Sequence, residues 1–244
     1  MKDIPDESVD MILCDLPYGT TACKWDSIIP FEILWKHYNR VIKNNGVICL
    51  FGSEPFSTHL RTSQIDNYKY DWIWVKSNGS CSGFVHAKNM PLKKHEIISV
   101  FSKAPIGHIS LLKERRMKYN PQGLSYKPTK EISKKKFGNT VGKRPSQVEE
   151  YTREYINYPV SILNFDSEKG LHPTQKPVPL LEYLIKTYTN ENETALDNCM
   201  GSGSTGVACV HTNRNFMGIE LDNHYFDVAK NRIETAYKEM IKNK

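Results

Sequence analysis

No run of apolar residues in the 244-residue chain approaches the ~20 needed to cross a bilayer, so a membrane span is not expected. A secretory leader is not expected either, because the opening MKDIPDESVD puts Asp3, Asp6 and Glu7 where a signal would be apolar. The six cysteines stand at 14, 23, 49, 81, 199 and 209, and none forms a C-x-x-C pair. Neither a zinc knuckle nor a disulfide framework is therefore indicated, no metal is expected, and a reduced cytoplasmic protein follows. No internal repeat is seen. What remains is ordinary globular material, 39% hydrophobic and 25% charged, enough for one compact domain with an inserted lobe.

The formal net charge of +6 is unevenly placed. Residues 103–153 hold thirteen Lys/Arg against four Glu, a net of +9, so the rest of the chain carries −3. A basic lobe on a mildly acidic body points to a polyanionic partner, although a solvated lysine-rich loop has the same composition. Tyr119, Tyr126, Phe137, Tyr151 and Tyr155 are interleaved with those cations, which favours nucleic acid.

Continuous apolar runs at 9–14 (VDMILC) and 47–51 (VICLF) read as strands covered on both faces. Apolar residues at 31, 34, 35, 38, 41 and 42 have helical spacing, with Asn44-Asn45-Gly46 as the stop. Ser53-Glu54-Pro55 reads as a helix start, and 70–75, 96–101 and 160–165 as strands. Residues 103–155 show no periodic pattern. A helical stripe at 180–188, a strand at 194–196, a second at 216–219 and a final helix carrying Phe226, Ala229, Ile233, Ala236 and Met240 close the chain. Strands alternating with helices predict an α/β domain with a mostly parallel sheet.

Gly201-Ser202-Gly203-Ser204-Thr205-Gly206 matches G-x-G-x-x-G between a predicted strand and a predicted helix, the setting that motif requires. Glu220 follows Gly201 by 19 residues, at the end of the next strand. Glycines let a ligand approach the backbone, and the acid accepts hydrogen bonds from ribose hydroxyls. Only 24 residues follow Glu220, so upstream sequence must complete the sheet and the order of elements is permuted. Asp197 adds a second carboxylate beside the glycine turn. Two acids suit a cofactor with an ammonium group and a ribose, and suit a pyrophosphate poorly. S-adenosylmethionine fits better than NAD, and an NAD-dependent oxidoreductase is the lesser alternative.

Asp15-Leu16-Pro17-Tyr18 lies at the carboxyl end of the first strand, where α/β proteins place their sites. With this loop the chain resembles the amino-group DNA methyltransferases, whose mark is Asp-Pro-Pro-Tyr. Asp197 to Gly203 resembles that family's cofactor loop, Gly218-Ile219-Glu220 its acidic motif, and His172-Pro173-Thr174-Gln175-Lys176-Pro177 the segment over the cofactor's methionine end. The order of catalytic loop, basic insert and cofactor motifs resembles the permuted beta class. The likeness covers 5–101 and 172–235, with 103–155 matching in position only. Leu16 replaces the first proline and Cys199 the usual phenylalanine; members also commonly carry a short stretch ahead of Ile4-Pro5.

The resemblance implies a Rossmann-like α/β methyltransferase fold, with helices on both faces of a twisted sheet, over 1–102 and 156–244. The insert, 103–155, is then the target-recognition region. It implies Asp15, Leu16, Pro17 and Tyr18 as catalytic residues. His172, Thr174, Lys176, Asp197, Cys199, Gly201, Gly203 and Glu220 would bind S-adenosylmethionine. Arg115, Arg116, Lys134, Lys135 and Lys136 are the candidates for phosphate contacts with double-stranded DNA. The implied reaction is methylation of the N6 amino group of adenine in a flipped-out base. N4-cytosine methylation is the alternative, often marked by serine in place of the aspartate, and a non-catalytic nucleic-acid-binding relative is a further one. A homodimer and a cognate restriction enzyme are the other partners the family brings.

Overall fold

The computed structural model describes residues 1–19, 26–132, 150–168, 170 and 175–242. The chain divides into two compact units, Met1–Asn120 with Ser161–Lys244, and Pro121–Val160.

In the larger unit, among the described residues, β1 (Val9–Asp15), α1 (Phe31–Val41), β2 (Ile42–Gly52), α2 (Phe56–Thr62), β3 (Tyr68–Lys76), β4 (His95–Phe101) and a one-turn α3 (Ile109–Leu112) come first. The smaller unit is a hairpin of β5 (Ser125–Ile132) and β6 (Glu150–Ile156). The larger unit resumes with β7 (Ile162–Phe165), α4 (Val178–Tyr188), β8 (Thr194–Asp197), α5 (Ser204–His211), β9 (Asn215–Gly218) and α6 (Asn223–Lys242).

The seven strands of the larger unit form one sheet in the order β7-β3-β4-β2-β1-β8-β9. All its neighbouring pairs are parallel except the two that β4 makes, with β2 and with β3. Side chains alternate as pleating demands. Val47, Cys49 and Phe51 enter the core formed with Leu181, Leu184 and Ile185 of α4, whereas Ile48 and Leu50 enter the core formed with Trp35 and Tyr38 of α1. Helices thus cover both faces, and the continuous apolar runs of β1 and β2 are strands buried twice over.

The Asn44-Asn45-Gly46 segment is not the helix stop that the sequence predicts. The helix ends at Val41, Ile42 is already extended, and the asparagines lie inside β2, where the β1 register shifts between Val9 and Met11. Gly46 is needed there because a Cβ would come within 2.9 Å of the Asp10 carbonyl oxygen. The patternless region also holds structure. β5 and β6 pair antiparallel, Tyr126 stacks edgewise on Tyr155 at 5.5 Å, and the register breaks around Pro128, which has no N–H to give the ladder. Their described side chains are mostly exposed, so no hydrophobic alternation announces them. Tyr119 belongs to the larger unit, packed on its core 6.2 Å from the Tyr188 ring.

Sheet polarity sets up the site. The carboxyl ends of β1, β3, β8 and β9 lie on one edge of the sheet and deliver Asp15, Lys76, Asp197 and, two residues past β9, Glu220. Because β4 runs the other way, its start delivers Glu96 to that edge, opposite Trp74 in the ladder.

Candidate active site

Asp15 ends β1, and the next three residues turn away from the sheet. Leu16 is buried at 4% exposure, and its side chain joins the core formed with α1. The Tyr18 hydroxyl donates to Asp15 Oδ1, and its ring lies 5.0 Å from that of Phe56. The ring is therefore fixed at one end by a carboxylate and along one face by an aromatic. Burial raises the Asp15 carboxyl above the ordinary range, with the Lys176 ammonium pulling the other way. Burial and the neighbouring Asp15 charge push the Tyr18 hydroxyl well up, so it stays protonated and remains a donor.

Lys176 is 9% exposed and its ammonium pairs with Asp15 Oδ2. It also lies 3.5 Å from Glu96 Oε2 and 5.1 Å from the centre of the Phe51 ring. Lys76 holds the other Glu96 oxygen at 2.9 Å. Burial works against the Lys176 charge, yet Asp15 and Glu96 raise its affinity for the proton above that of a free lysine. Burial alone would raise Glu96, but Lys176 and Lys76 hold it below the ordinary carboxylate value. Two carboxylates and two ammonium groups thus form a balanced, half-buried cluster, in which each charge has a partner.

The second loop joins β8 to α5. Asp197 Oδ1 accepts from the Cys199 N–H at 3.1 Å and Oδ2 from the Thr205 hydroxyl at 2.7 Å. At 4% exposure its carboxyl is pushed up to about 6 by burial, which these donors only partly offset. Gly203 has φ +78°, and a Cβ there would meet the backbone of Ala229 at 2.9 Å. The turn is therefore left-handed and pressed against α6, two conditions that select glycine. Arg232 of α6 donates to the Ser202 carbonyl at 2.9 Å and to the Ser204 hydroxyl at 3.1 Å, tying the loop down. Glu220 accepts from the Gly201 N–H at 2.8 Å and, through its other oxygen, from the Leu221 and Asp222 N–H groups at 2.9 and 3.0 Å.

Both loops open into one cavity of about 870 Å³, lined by Asp15, Leu16, Pro17 and Tyr18 on one side and by Asp197, Cys199, Gly201 and Glu220 on the other. That volume is in the range of small-molecule sites, about 300–1,000 Å³. Its donor set suits a cofactor with a cationic amino group and a ribose, since two carboxylates and a bare glycine backbone face the space. Among the described residues no three His, Cys, Asp or Glu side chains cluster as metal ligands, and no helix is long and apolar enough to cross a membrane.

A family model described as DNA methylase, of the N6/N4 type, matches residues 9–231. The chain belongs to that DNA methylase family. The Type II methyltransferase M2.LlaDCHI of Lactococcus lactis subsp. cremoris is 30% identical over 269 residues, 96% of this chain and 85% of its own. The DNA adenine methyltransferase YhdJ of Escherichia coli K12 is 26% identical over 251 residues, 97% and 80% of the two chains. Among solved structures, the M1.HpyAVI-SAM complex is 27% identical with a TM-score of 0.58, covering 92% of this chain and 88% of its own. The cytosine-N4-specific PvuII DNA methyltransferase has a TM-score of 0.60 over 100% and 89% of the chains, and at 13% identity it shares the fold.

In this methylase the structure brings Asp15, Leu16, Pro17, Tyr18, Lys176, Asp197, Cys199, Gly201 and Glu220 to one cavity, with Gly203 in the turn behind it. His172 and Thr174 lie outside the described residues, as do Lys134, Lys135 and Lys136. Arg115, exposed, and Arg116, half-buried, sit in the larger unit, not in the hairpin. The family resemblance gave Lys176 to the cofactor; here its ammonium rests between Asp15 and Glu96. Lys76 and Glu96 were missed. Each is a single charge at a strand end, and nothing in the sequence reveals that β4 runs antiparallel.

Proposed function

We propose that this methylase transfers a methyl group from S-adenosylmethionine to the exocyclic N6 amino group of adenine in double-stranded DNA. The observation that carries the reading is the single cavity shared by Asp15–Tyr18 and Asp197–Glu220. The adenine choice is supported by aspartate, not serine, at position 15 and by the likeness to YhdJ.

Asp197 would pair with the cofactor's ammonium, Glu220 would accept from its ribose hydroxyls, and the glycine loop leaves room for its body. When bound, S-adenosylmethionine supplies an electrophilic methyl group on a sulfonium. The target amino nitrogen is a poor nucleophile because its lone pair is delocalised into the ring. Two acceptors aimed at its hydrogens, the Asp15 carboxylate and the Leu16 carbonyl, favour a tetrahedral nitrogen whose lone pair is free to attack. Positive charge then grows on that nitrogen, and Asp15 stabilises it in a site that excludes water. Asp15 accepts the departing proton in its second role. Tyr18 is the stacking platform for the extruded base, braced by Phe56, and stacking offsets the few kcal/mol of unpairing. Pro17 fixes the turn between the two.

The test is mass spectrometry of nucleosides after reaction with duplex DNA. N6-methyladenine is expected, and N4-methylcytosine without methyladenine would overturn the choice of base. Asp15→Ala should abolish transfer while duplex affinity stays within about threefold. Parallel loss of both would remove Asp15 from a catalytic role.

A further inference from the structure

We infer that Glu96 is a positioning residue of the methyl-transfer site, drawing Lys176 off Asp15 so that the carboxylate opens to the target amino group. The inference rests on the role of Asp15 proposed above.

In the geometry described, both oxygens of Asp15 already accept: Tyr18 donates to one and Lys176 to the other. An ammonium in that place is wrong for the reaction in two ways. It occupies the acceptor that the base needs, and it repels the positive charge that grows on the attacked nitrogen. Lys176 must therefore have somewhere else to rest that is not water, because a buried cation without a partner is strongly unfavourable. Glu96 provides that place. Its Oε2 is buried and accepts no hydrogen bond among the described residues, and it lies 3.5 Å from the Lys176 nitrogen, just beyond bonding range. Its Oε1 is held by Lys76, and its backbone is held in the β4 ladder, so the acceptor stays put while the lysine moves. Lys176 reaches both carboxylates on a flexible four-carbon stem, over the Phe51 ring that seats the cation. Among the described residues, the titratable groups around this lysine include Asp15 and Tyr18 from the β1 loop, Lys76 from β3 and Glu96 from β4. A small swing transfers its pairing without changing the charge of the cluster. In the resting state Lys176 keeps Asp15 neutralised; on entry of the base it passes to Glu96.

The experiment uses the full chain, with steady-state kinetics, cofactor and duplex binding, and the pH dependence of kcat. In Glu96→Gln the lysine keeps Asp15 and loses the second carboxylate, 3.5 Å away. We expect kcat to fall about thirtyfold or more while KM for cofactor and DNA stay within about threefold. The acid limb of kcat should move down by about half a pH unit or more, since a captive Lys176 keeps Asp15 ionised. In Glu96→Gln/Lys176→Met the same limb should move up, because Asp15 is then buried without a cation. Unchanged kcat, an unmoved acid limb, or binding lost in proportion to turnover would each overturn the inference. If Glu96→Gln does not fold, Glu96→Asp decides: it should give an intermediate loss with the limb displaced in the same direction, and a profile identical to wild type overturns the role. A wild-type protein that methylates no DNA, or an Asp15→Ala variant that retains activity, would instead overturn the reading of the site on which this rests.

Discussion

Asp197 shows how one residue couples the stability of the fold to the ligand it is proposed to hold. Its carboxyl is pushed up from 3.8 to about 6 because burial disfavours the charge. Between those values the folded chain binds more protons than the unfolded one, so stability falls as pH rises from about 4 to about 6. The whole contribution is on the order of 3 kcal/mol, at 1.36 kcal/mol per pH unit. It is present below the unfolded value and gone above the folded one. Urea unfolding across that window should show the decline, and Asp197→Asn should flatten it. An ammonium partner reverses the preference, since it needs the ionised acid. Cofactor affinity should accordingly be about tenfold weaker at pH 5 than at pH 7 in titration calorimetry. In Asp197→Asn the affinity should be lower throughout and lose that dependence. A wild-type affinity that is flat over this interval would separate Asp197 from the ammonium.

At the scale of elements, the junction of β8, α5 and α6 makes a graded prediction. A Cβ on Gly206 would come within 2.3 Å of the Ile233 Cδ1 and 2.8 Å of the Phe216 ring, all side-chain atoms, whereas on Gly203 it would meet the Ala229 backbone at a positive φ. Gly206→Ala should lower stability by about 1–3 kcal/mol, the usual penalty of overpacking. Gly203→Ala combines backbone strain of about 1–3 kcal/mol with a clash that no rotamer relieves. Thermal unfolding should rank Gly203→Ala below Gly206→Ala, and cofactor binding should suffer more in the former because its turn supports the cavity wall. This junction was legible beforehand: G-x-G-x-x-G after an apolar strand has a mechanism at each glycine. The β1 and β2 runs were legible for a similar reason, since burial on both faces leaves no polar residue to confuse the period. Strand direction was not legible. The apolar stretch of β4 looks the same whichever way it runs, so the arrival of Glu96 beside Asp15 had no signal. Asn44-Asn45-Gly46 misled because turn residues also suit a strand that shifts register against the Asp10 carbonyl. The hairpin was hidden by its exposure, its strands carrying no buried face to set a period of two.

Across the whole molecule, the structure sorts the described cations of residues 103–153 into those that pair within the fold and those that face solvent. Lys118 pairs with Glu193 and lies 4.0 Å from the buried Asp10, and Lys103 donates to the Asn39 carbonyl at 3.2 Å. Lys113 and Arg115 face solvent, as do Lys127 and Lys130 in the hairpin. Total charge would treat all of these alike, whereas the geometry does not. If Arg115 and Arg116 each neutralise one phosphate, Arg115→Glu/Arg116→Glu should reduce the dependence of log affinity on log salt by about 2. The loss should be nearly the same for unrelated duplex sequences, since phosphate contacts carry no base information. Lys118→Met removes one charge of the same sign, yet it should leave the salt slope within experimental error and lower the melting temperature by about 2–4 °C or more, because Glu193 and Asp10 lose a partner. Fluorescence anisotropy from about 50 to 200 mM salt, run beside thermal unfolding, separates the two classes. Equal slopes for wild type and the double arginine variant would move the DNA-binding face away from this segment of the larger unit. A reduced slope for Lys118→Met would mean that its pairing in the free protein is given up on DNA.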